Sequence, residues 1–376
     1  MRDTAGPLTG RRVALSAPWI EEREEELVLD VLRSGRLSLG PTGPRFEDLL
    51  ARVCGARHCA AVSSGTAGLH LCMRLAEVGP GDEVITSPYS FVASANCAIY
   101  EGATPVFADV DPVTYNLDPA AVEEVLTEAT KAVVAVDIYG YPCELDELRA
   151  VCERHGLVLI EDACQALGAE YKGARVGSHG HPAVFAFYPN KQLTTGEGGA
   201  VATGSEEQWL ALVSLRNQGR ADSGGWLEHA RLGYNYRLDD LSAALGIAQL
   251  EKIEEILERR RDVASRYGEL LEGVDVEPPA PDDADHVRSW FVYVVTLPGG
   301  VDRERVLAEL ERRGVAAARY LPSIHLQPYM RERYGFRPGM CPVSEYLGAR
   351  TFALPFHGRL ALDDQEYVVE ALRAAL

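Results

Sequence analysis

Lysine is scarce in this chain. Of 37 basic residues in a sequence of 376, four are lysines, at positions 131, 172, 191 and 252. Chemistry that needs a primary amine therefore has few places to reside. Basic residues are also outnumbered as a class, since 56 Asp and Glu leave a formal net charge of −19. A chain that repels polyphosphate as a whole is not expected to bind nucleic acid or anionic lipid unspecifically. Long hydrophobic runs are missing too. The longest uncharged stretch, Val84 to Tyr100, is broken by Thr86, Ser87, Pro88, Ser90, Ser94 and Asn96 and is too short to span a bilayer. The opening MRDTAGPLTGRRVALSAPW carries no apolar core of a secretory signal, so a cytoplasmic protein is expected. No Cys-x-x-Cys pair occurs among the eight cysteines, and most of them sit in apolar segments such as Leu71-Cys72-Met73. Buried free thiols are expected rather than disulfides or zinc ligands. No histidine stands at metal-ligand spacing from Cys or carboxylate, and no metal is expected.

What is present can build a large core: 47% of the residues are hydrophobic, and the length allows two or three domains at roughly 150 residues each. From about residue 57, short apolar runs at Cys59–Val62, Glu83–Thr86, Thr104–Val110, Ala132–Ile138 and Leu157–Ile160 alternate with helical segments. Continuous apolar strands predict a largely parallel sheet covered on both faces, hence an α/β domain. A hairpin over 169–176 and two further strands, 183–188 and 199–203, follow. One long helical region is expected from Asp239 to about Leu271. The Pro-rich stretch 277–281 reads as a boundary. Beyond it, strands at 290–297, 315–319 and 350–354, a helix at 303–313 and a final helix suggest a small α+β unit. The resulting division is 1–250 for a large domain with an N-terminal segment, and 251–376 for a connecting helix and small domain.

Three stretches carry candidate chemistry. Ser63-Ser64-Gly65-Thr66-Ala67-Gly68 follows a strand and opens a helix, where free N–H groups suit a phosphate; an ordinary Ser N-cap satisfies the same donors. Asp162 stands at the carboxyl end of a buried strand, the edge where open α/β sheets bind ligands, and a helix cap is again the alternative. Lys191, in Tyr188-Pro189-Asn190-Lys191-Gln192, is the one lysine whose context suggests enclosure. A lysine shielded from water loses its proton readily and becomes a nucleophile. A phosphate cradle, a carboxylate for a ring nitrogen and a nucleophilic amine are together the parts that hold pyridoxal phosphate (PLP).

The chain resembles the DegT/StrS family of PLP-dependent sugar aminotransferases along nearly its whole length. The resemblance rests on SGRLSLGPTGPRFE (34–47), VSSGTAGLHL (62–71), GDEVITSPYSFVASANCAIYEGATPVFADVD (81–111), IEDACQALGA (160–169), FYPNKQLTTGEGG (187–199), LRNQGR (215–220) and LGYNYRLDDLSAALGIAQLE (232–251). It implies an aspartate-aminotransferase-like (type I PLP) α/β large domain with a mixed, mostly parallel sheet, plus a small α+β C-terminal domain. It also implies a homodimer with shared active sites, and pyridoxamine phosphate as the alternate cofactor form. Carried over by motif, Lys191 holds the cofactor covalently and then moves the proton. Asp162 pairs with the ring nitrogen, Gln165 meets the ring-hydroxyl side, Phe91 stacks on the ring, and Gly65 and Thr66 hold the phosphate with Asn235 of the second chain. His325 is a substrate candidate in a segment that often approaches substrate. Glu197 reads as structural, and Arg216 and Arg220 as solvent-facing. One departure stands out: Ala186 replaces the usual phosphate-binding Ser, and a missing bond to a charged group costs about 1.5–3 kcal/mol.

The implied function is ping-pong transfer of an amino group from glutamate or glutamine to a nucleotide-linked keto-hexose, with a 4-keto-6-deoxyhexose favoured. A 3-keto sugar or keto-cyclitol acceptor is an alternative, and a non-catalytic regulatory or scaffold protein is another. Related dehydratases carry His where Lys191 stands. A nicotinamide dehydrogenase would want a GxGxxG that Ser63–Gly68 does not supply.

Overall fold

The computed structural model of the chain describes residues 10–221 and 228–376. In chain order the strands are β1 (His58–Val62), β2 (Glu83–Thr86), β3 (Thr104–Phe107), β4 (Thr130–Val136), β5 (Val158–Asp162) and β6 (Glu170–Tyr171). They continue with β7 (Ala174–Arg175), β8 (Ala183–Ala186), β9 (Gly199–Thr203), β10 (His286–Val287), β11 (Tyr293–Thr296) and β12 (Thr351–Leu354). Seven of them form one sheet in the order β1-β9-β8-β5-β4-β2-β3. Every neighbouring pair is parallel except the two made by β9, which alone runs against the rest. The fold is thus α/β with a mixed, mostly parallel sheet. The central strands β4 and β9 are buried along nearly all their residues, because helices cover both faces.

This topology positions the chemistry. Strands β1, β2, β5 and β8 point the same way, so the segments after Val62, Thr86, Asp162 and Ala186 gather along one edge of the sheet. Helix Gly65–Leu75 buries Leu69, Leu71, Cys72 and Met73 against β1, β8 and β9. Helix Asp240–Glu251 lies on the opposite layer with Phe46, Leu50 and Phe187.

The expected hairpin forms from β6 and β7, and Lys172 takes its turn at φ 50. The long helix expected from 239 to 271 is instead two, Asp240–Glu251 and Ile253–Leu270, broken at Lys252. Lys252 leaves helical geometry (φ −121, ψ 18) and turns its ammonium to Glu24 at 2.8 Å and Glu21 at 3.2 Å. Lys131 lies inside β4 rather than before it. The strand expected at 315–319 reduces to two single bridges, Val315 to Val13 and Ala318 to Ala353, because its two ends meet different partners.

A second core gathers Val263, Tyr267, Tyr293, Val306, Phe352 and Leu372, and Val13 from the far end of the chain joins it. Its two-stranded sheet pairs β11 with β12 antiparallel. All eight cysteines are unpaired, seven of them buried. No described helix is long and apolar enough to cross a membrane.

Candidate active site

The loop after β1 satisfies both readings of its serines. Ser64 caps the helix, its Oγ accepting the Ala67 N–H at 3.1 Å. That leaves the first-turn N–H groups of Gly65 and Thr66, which precede any intrahelical acceptor, beside a cavity of about 520 Å³. Gly65 is required by close approach: a Cβ there would stand 2.7 Å from Cys164 Sγ and 2.8 Å from Ala186 Cβ. Gly199 on β9 is equally constrained, since its Cβ would lie 2.5 Å from the Ser64 carbonyl carbon. The floor of this cradle is therefore bare backbone plus the Ala186 methyl, with no hydroxyl from position 186.

Asp162 ends β5 and is buried. Ser94 Oγ donates to its Oδ2 at 2.7 Å, and the Cys164 N–H reaches Oδ1 at 3.3 Å. Ser90 Oγ lies 2.8 Å from Ser94 Oγ, so a short hydroxyl chain runs from the cavity wall to the carboxylate. Gln165 Oε1 accepts the Tyr139 N–H at 3.0 Å, which leaves its Nε2 as the free donor. Lys191 follows β8 through a turn closed by its N–H on the Tyr188 carbonyl at 2.9 Å. Its Nζ stands 4.0 Å from the centroid of the Phe291 ring. Burial holds the amine below the usual lysine range, opposed by Cys164 and Asp162. A neutral, nucleophilic amine is favoured as a result. Phe91 is a large apolar ring left 62% exposed on the cavity wall.

Gly65, Thr66, Phe91, Asp162, Gln165 and Lys191 thus line one cavity. Asn235 does not: it is exposed, and its main chain bridges to Asn217. His325 is not there either. It is fully buried, packed on Phe107, with Nε2 3.0 Å from Glu345 Oε1. Glu345 in turn accepts N–H bonds from Gly339 and Cys341. The structure therefore places the substrate candidate as the tie of a loop, because its Nε2 and the Glu345 carboxylate are engaged there and its Nδ1 is buried without a hydrogen-bond partner among the described residues. Arg216, expected to face solvent, instead pairs with Glu47 and donates to the Ala61 carbonyl at 2.5 Å. Glu197 is structural through its carbonyl, which accepts from Thr195 Oγ1 at 2.6 Å, and the residue also lines the cavity.

Sequence reasoning missed Ser94, Phe291, Tyr320 and Arg260. Ser90 precedes helix Ala93–Tyr100 and Ser94 stands in its first turn, so no shared helix face marks the pair in the sequence. Phe291 and Tyr320 lie a hundred residues or more beyond Lys191, in a cluster packed with Tyr89, Val136 and Tyr139, and nothing local marks them.

A model of the DegT/DnrJ/EryC1/StrS aminotransferase family matches residues 18–373. The spore coat polysaccharide biosynthesis protein SpsC of Bacillus subtilis is 37% identical over 373 residues, covering 95% of each chain. Spr1654 of Streptococcus pneumoniae, solved in its PLP form, superposes with a TM-score of 0.92 at 28% identity, over 97% of this chain and 98% of its own. PseC of Helicobacter pylori, an aminotransferase involved in the biosynthesis of pseudoaminic acid, gives 0.92 at 29% identity, over 97% and 99%.

Proposed function

The chain belongs to the DegT/DnrJ/EryC1/StrS aminotransferase family and uses PLP, and from that premise we propose that it aminates a keto-sugar carried on a nucleotide. Glutamate or glutamine is the donor, and a 4-keto-6-deoxyhexose is the preferred acceptor. Two relatives support a sugar acceptor, SpsC through spore coat polysaccharide and PseC through pseudoaminic acid. The observation that carries the reading is the meeting of an amine-bearing turn, a buried carboxylate and a side-chain-free cradle in one cavity.

The residues fit the cofactor. A phosphate needs the close backbone approach that Gly65 and Gly199 leave open, and a pyridinium nitrogen needs an acceptor, which the Asp162 carboxylate provides. When bound, PLP supplies an electron sink for the pair released as a C–H bond breaks. Asp162 keeps the ring nitrogen protonated, and Ser94 Oγ holds the carboxylate in that orientation. Gln165 Nε2 donates toward the ring hydroxyl. The N–H groups of Gly65 and Thr66 bind the phosphate, and Phe91 covers one ring face. Lys191 Nζ would anchor the cofactor and, when free of it, would hold and move the donor's α-proton. In the second half-reaction Lys191 moves the proton in reverse toward the sugar carbon.

The large unit, 1–250, holds the cofactor, while the unit 251–376 closes the far wall with Phe291, Tyr320 and Leu321. Lys191 is the sole cationic side chain among the described residues lining the cavity. Three anionic groups (cofactor phosphate, donor carboxylate and nucleotide diphosphate) therefore call for donors from elsewhere. A second copy supplies them in this reading, with exposed Asn235 reaching the partner's phosphate. Eight unpaired thiols accord with a cytoplasmic home.

The test separates the half-reactions. Glutamate or glutamine alone should bleach the visible band of lysine-bound cofactor, and a nucleotide keto-hexose should restore it with an amino sugar detected by mass spectrometry. If no amino acid bleaches the band, the transaminase reading fails. If keto-cyclitols alone restore it, the nucleotide-sugar acceptor is wrong.

A further inference from the structure

Helix Ile253–Leu270 turns one stripe inward, with Ile253, Ile256, Leu257, Val263 and Tyr267 buried, and Arg260 sits in that stripe. Only 4% of Arg260 remains exposed, and no carboxylate among the described residues pairs with it. Burial draws its guanidinium down to about 10, with Tyr320 acting the other way. A hydrophobic side chain at this position would pack without that loss of hydration. The hydrogen bonds show what the guanidinium does instead. Nη1 donates to the carbonyls of Trp290 and Phe291, both at 3.2 Å, and Nη2 to the carbonyl of Lys191 at 3.0 Å. Trp290 lies in the left-handed region at φ 53, which a bulky residue holds only when its surroundings impose it. One residue along, Gln192 Nε2 repeats the tie, donating to the Gln165 carbonyl at 2.6 Å and to Ser289 Oγ at 2.8 Å.

Lys191 and Phe291 face each other inside the cavity, amine over ring at 4.0 Å. Outside it, their main chains converge on one guanidinium. We propose that Arg260 is a positioning residue: by holding the carbonyls of Lys191, Trp290 and Phe291 together, it sets where the Lys191 amine stands relative to the Phe291 ring and thus to the reacting carbon. This rests on the reading of Lys191 as the cofactor lysine. An ammonium cannot replace the device, since it lacks the planar fork that spans three acceptors.

Arg260→Lys, Arg260→Met and Phe291→Leu, each as loaded full-length protein, test it. Borohydride reduction of the wild type, followed by peptide mapping, comes first. Cofactor fixed to another lysine overturns the reading of Lys191 and this proposal with it. With Lys191 confirmed, the pH midpoint of the visible band is measured in each variant. The Phe291 ring favours a charged nitrogen above it, so loosening or removing that contact should lower the midpoint by about 0.5–1 pH unit. The donor half-reaction should slow by roughly 10- to 100-fold in both Arg260 variants, with donor half-saturation changed less than about 3-fold because the donor's own contacts remain. Arg260 variants with wild-type midpoint and rate overturn the proposal. If neither Arg260 variant folds, Phe291→Leu decides: a wild-type midpoint there overturns it, and a lowered one supports it.

Discussion

Glu161→Gln should flatten a pH-dependent loss of stability. Glu161, the residue before Asp162, and Asp137, just past β4, are both fully buried. Asp137 Oδ1 accepts the Cys143 N–H at 2.9 Å, and Glu161 Oε2 lies 3.3 Å from His181 Nε2. Their other oxygens, Asp137 Oδ2 and Glu161 Oε1, have no donor among the described residues. Two such oxygens side by side require a shared proton. Burial is the main cause that raises both groups, with the charge of Glu161 adding to the rise of Asp137. The neighbours offer little relief. His181 is pushed down by burial to about 4 and stays neutral, the Cys143 thiol is pushed up, and Arg149 acts only weakly on Glu161. The folded pair therefore keeps a proton that the unfolded chain, with carboxyls near 4–4.5, has already released. A raised folded pKa means stability is fully present below the unfolded value and falls as pH rises toward the folded one. The limiting slope is about 1.4 kcal/mol per pH unit, so on the order of 2 kcal/mol is lost between pH 5 and 7. In Glu161→Gln the amide Nε2 donates to Asp137 Oδ2 without titrating, and the site keeps one negative charge. Urea unfolding of wild type and variant at pH 5, 6, 7 and 8, at constant cofactor, should give stability differences that shift in the variant's favour by roughly 2–3 kcal/mol. Parallel pH curves, with the variant offset by one constant amount, would refute the shared proton.

Other outcomes follow from the same geometry. Gly65→Ala drives a methyl to 2.7 Å from Cys164 Sγ and 2.8 Å from Ala186 Cβ; stability should fall by about 1–3 kcal/mol and cofactor affinity, by equilibrium dialysis, at least tenfold. Unchanged affinity would remove the cradle from the phosphate site. Asp162→Asn should still bind cofactor, yet its donor half-reaction in stopped flow should slow by 10²–10³ or more, as when a charge-stabilising group is lost; near-normal turnover would mean that another group meets the ring nitrogen. Lys191→Ala and Asn235→Asp should each be inactive. Random mixing of the two should restore roughly a quarter of the sites if Asn235 serves its partner's cavity, and activity absent from verified mixed dimers would return Asn235 to a role within its own chain.

The sheet was legible where local composition decides it. Val133-Val134-Ala135-Val136 has no alternation, and it runs between helices on both faces, as such a strand must. The place of β9 was not, because Gly199-Ala200-Val201-Ala202 reads the same in either direction and only its neighbours β1 and β8 decide that it opposes them. The break at Lys252 was hidden likewise, since the apolar period continues through it and the force that opens it lies at Glu24. In the cavity, Gly65, Asp162 and Lys191 each stand at a strand's end, a position that sequence shows. Phe291 is brought there by packing against Tyr139 and Tyr320, and Arg260 reaches the backbone behind it from a helix far along the chain. His325 was a substrate candidate through the family segment it stands in, and its burial by Phe107 depends on another strand, β3.

The pairing of β1 with β9 has a consequence for a chain still being made. His58 lies opposite Thr203, and Val62 opposite Gly199. Synthesis runs from the N-terminus at about 5–20 residues per second, so β1 and its glycine loop wait roughly 7–30 s for the strand that completes them. Until then β1, an end strand of the finished sheet, is open on its β9 side as well, the kind of edge that pairs with other chains, and the loop lacks the backbone of Gly199 beneath it. A nascent chain stalled before residue 199 should therefore retain no cofactor, whereas one released past 203 has the sheet needed to hold it. Cofactor capture in a translation extract thus becomes a clock for the closing of this sheet.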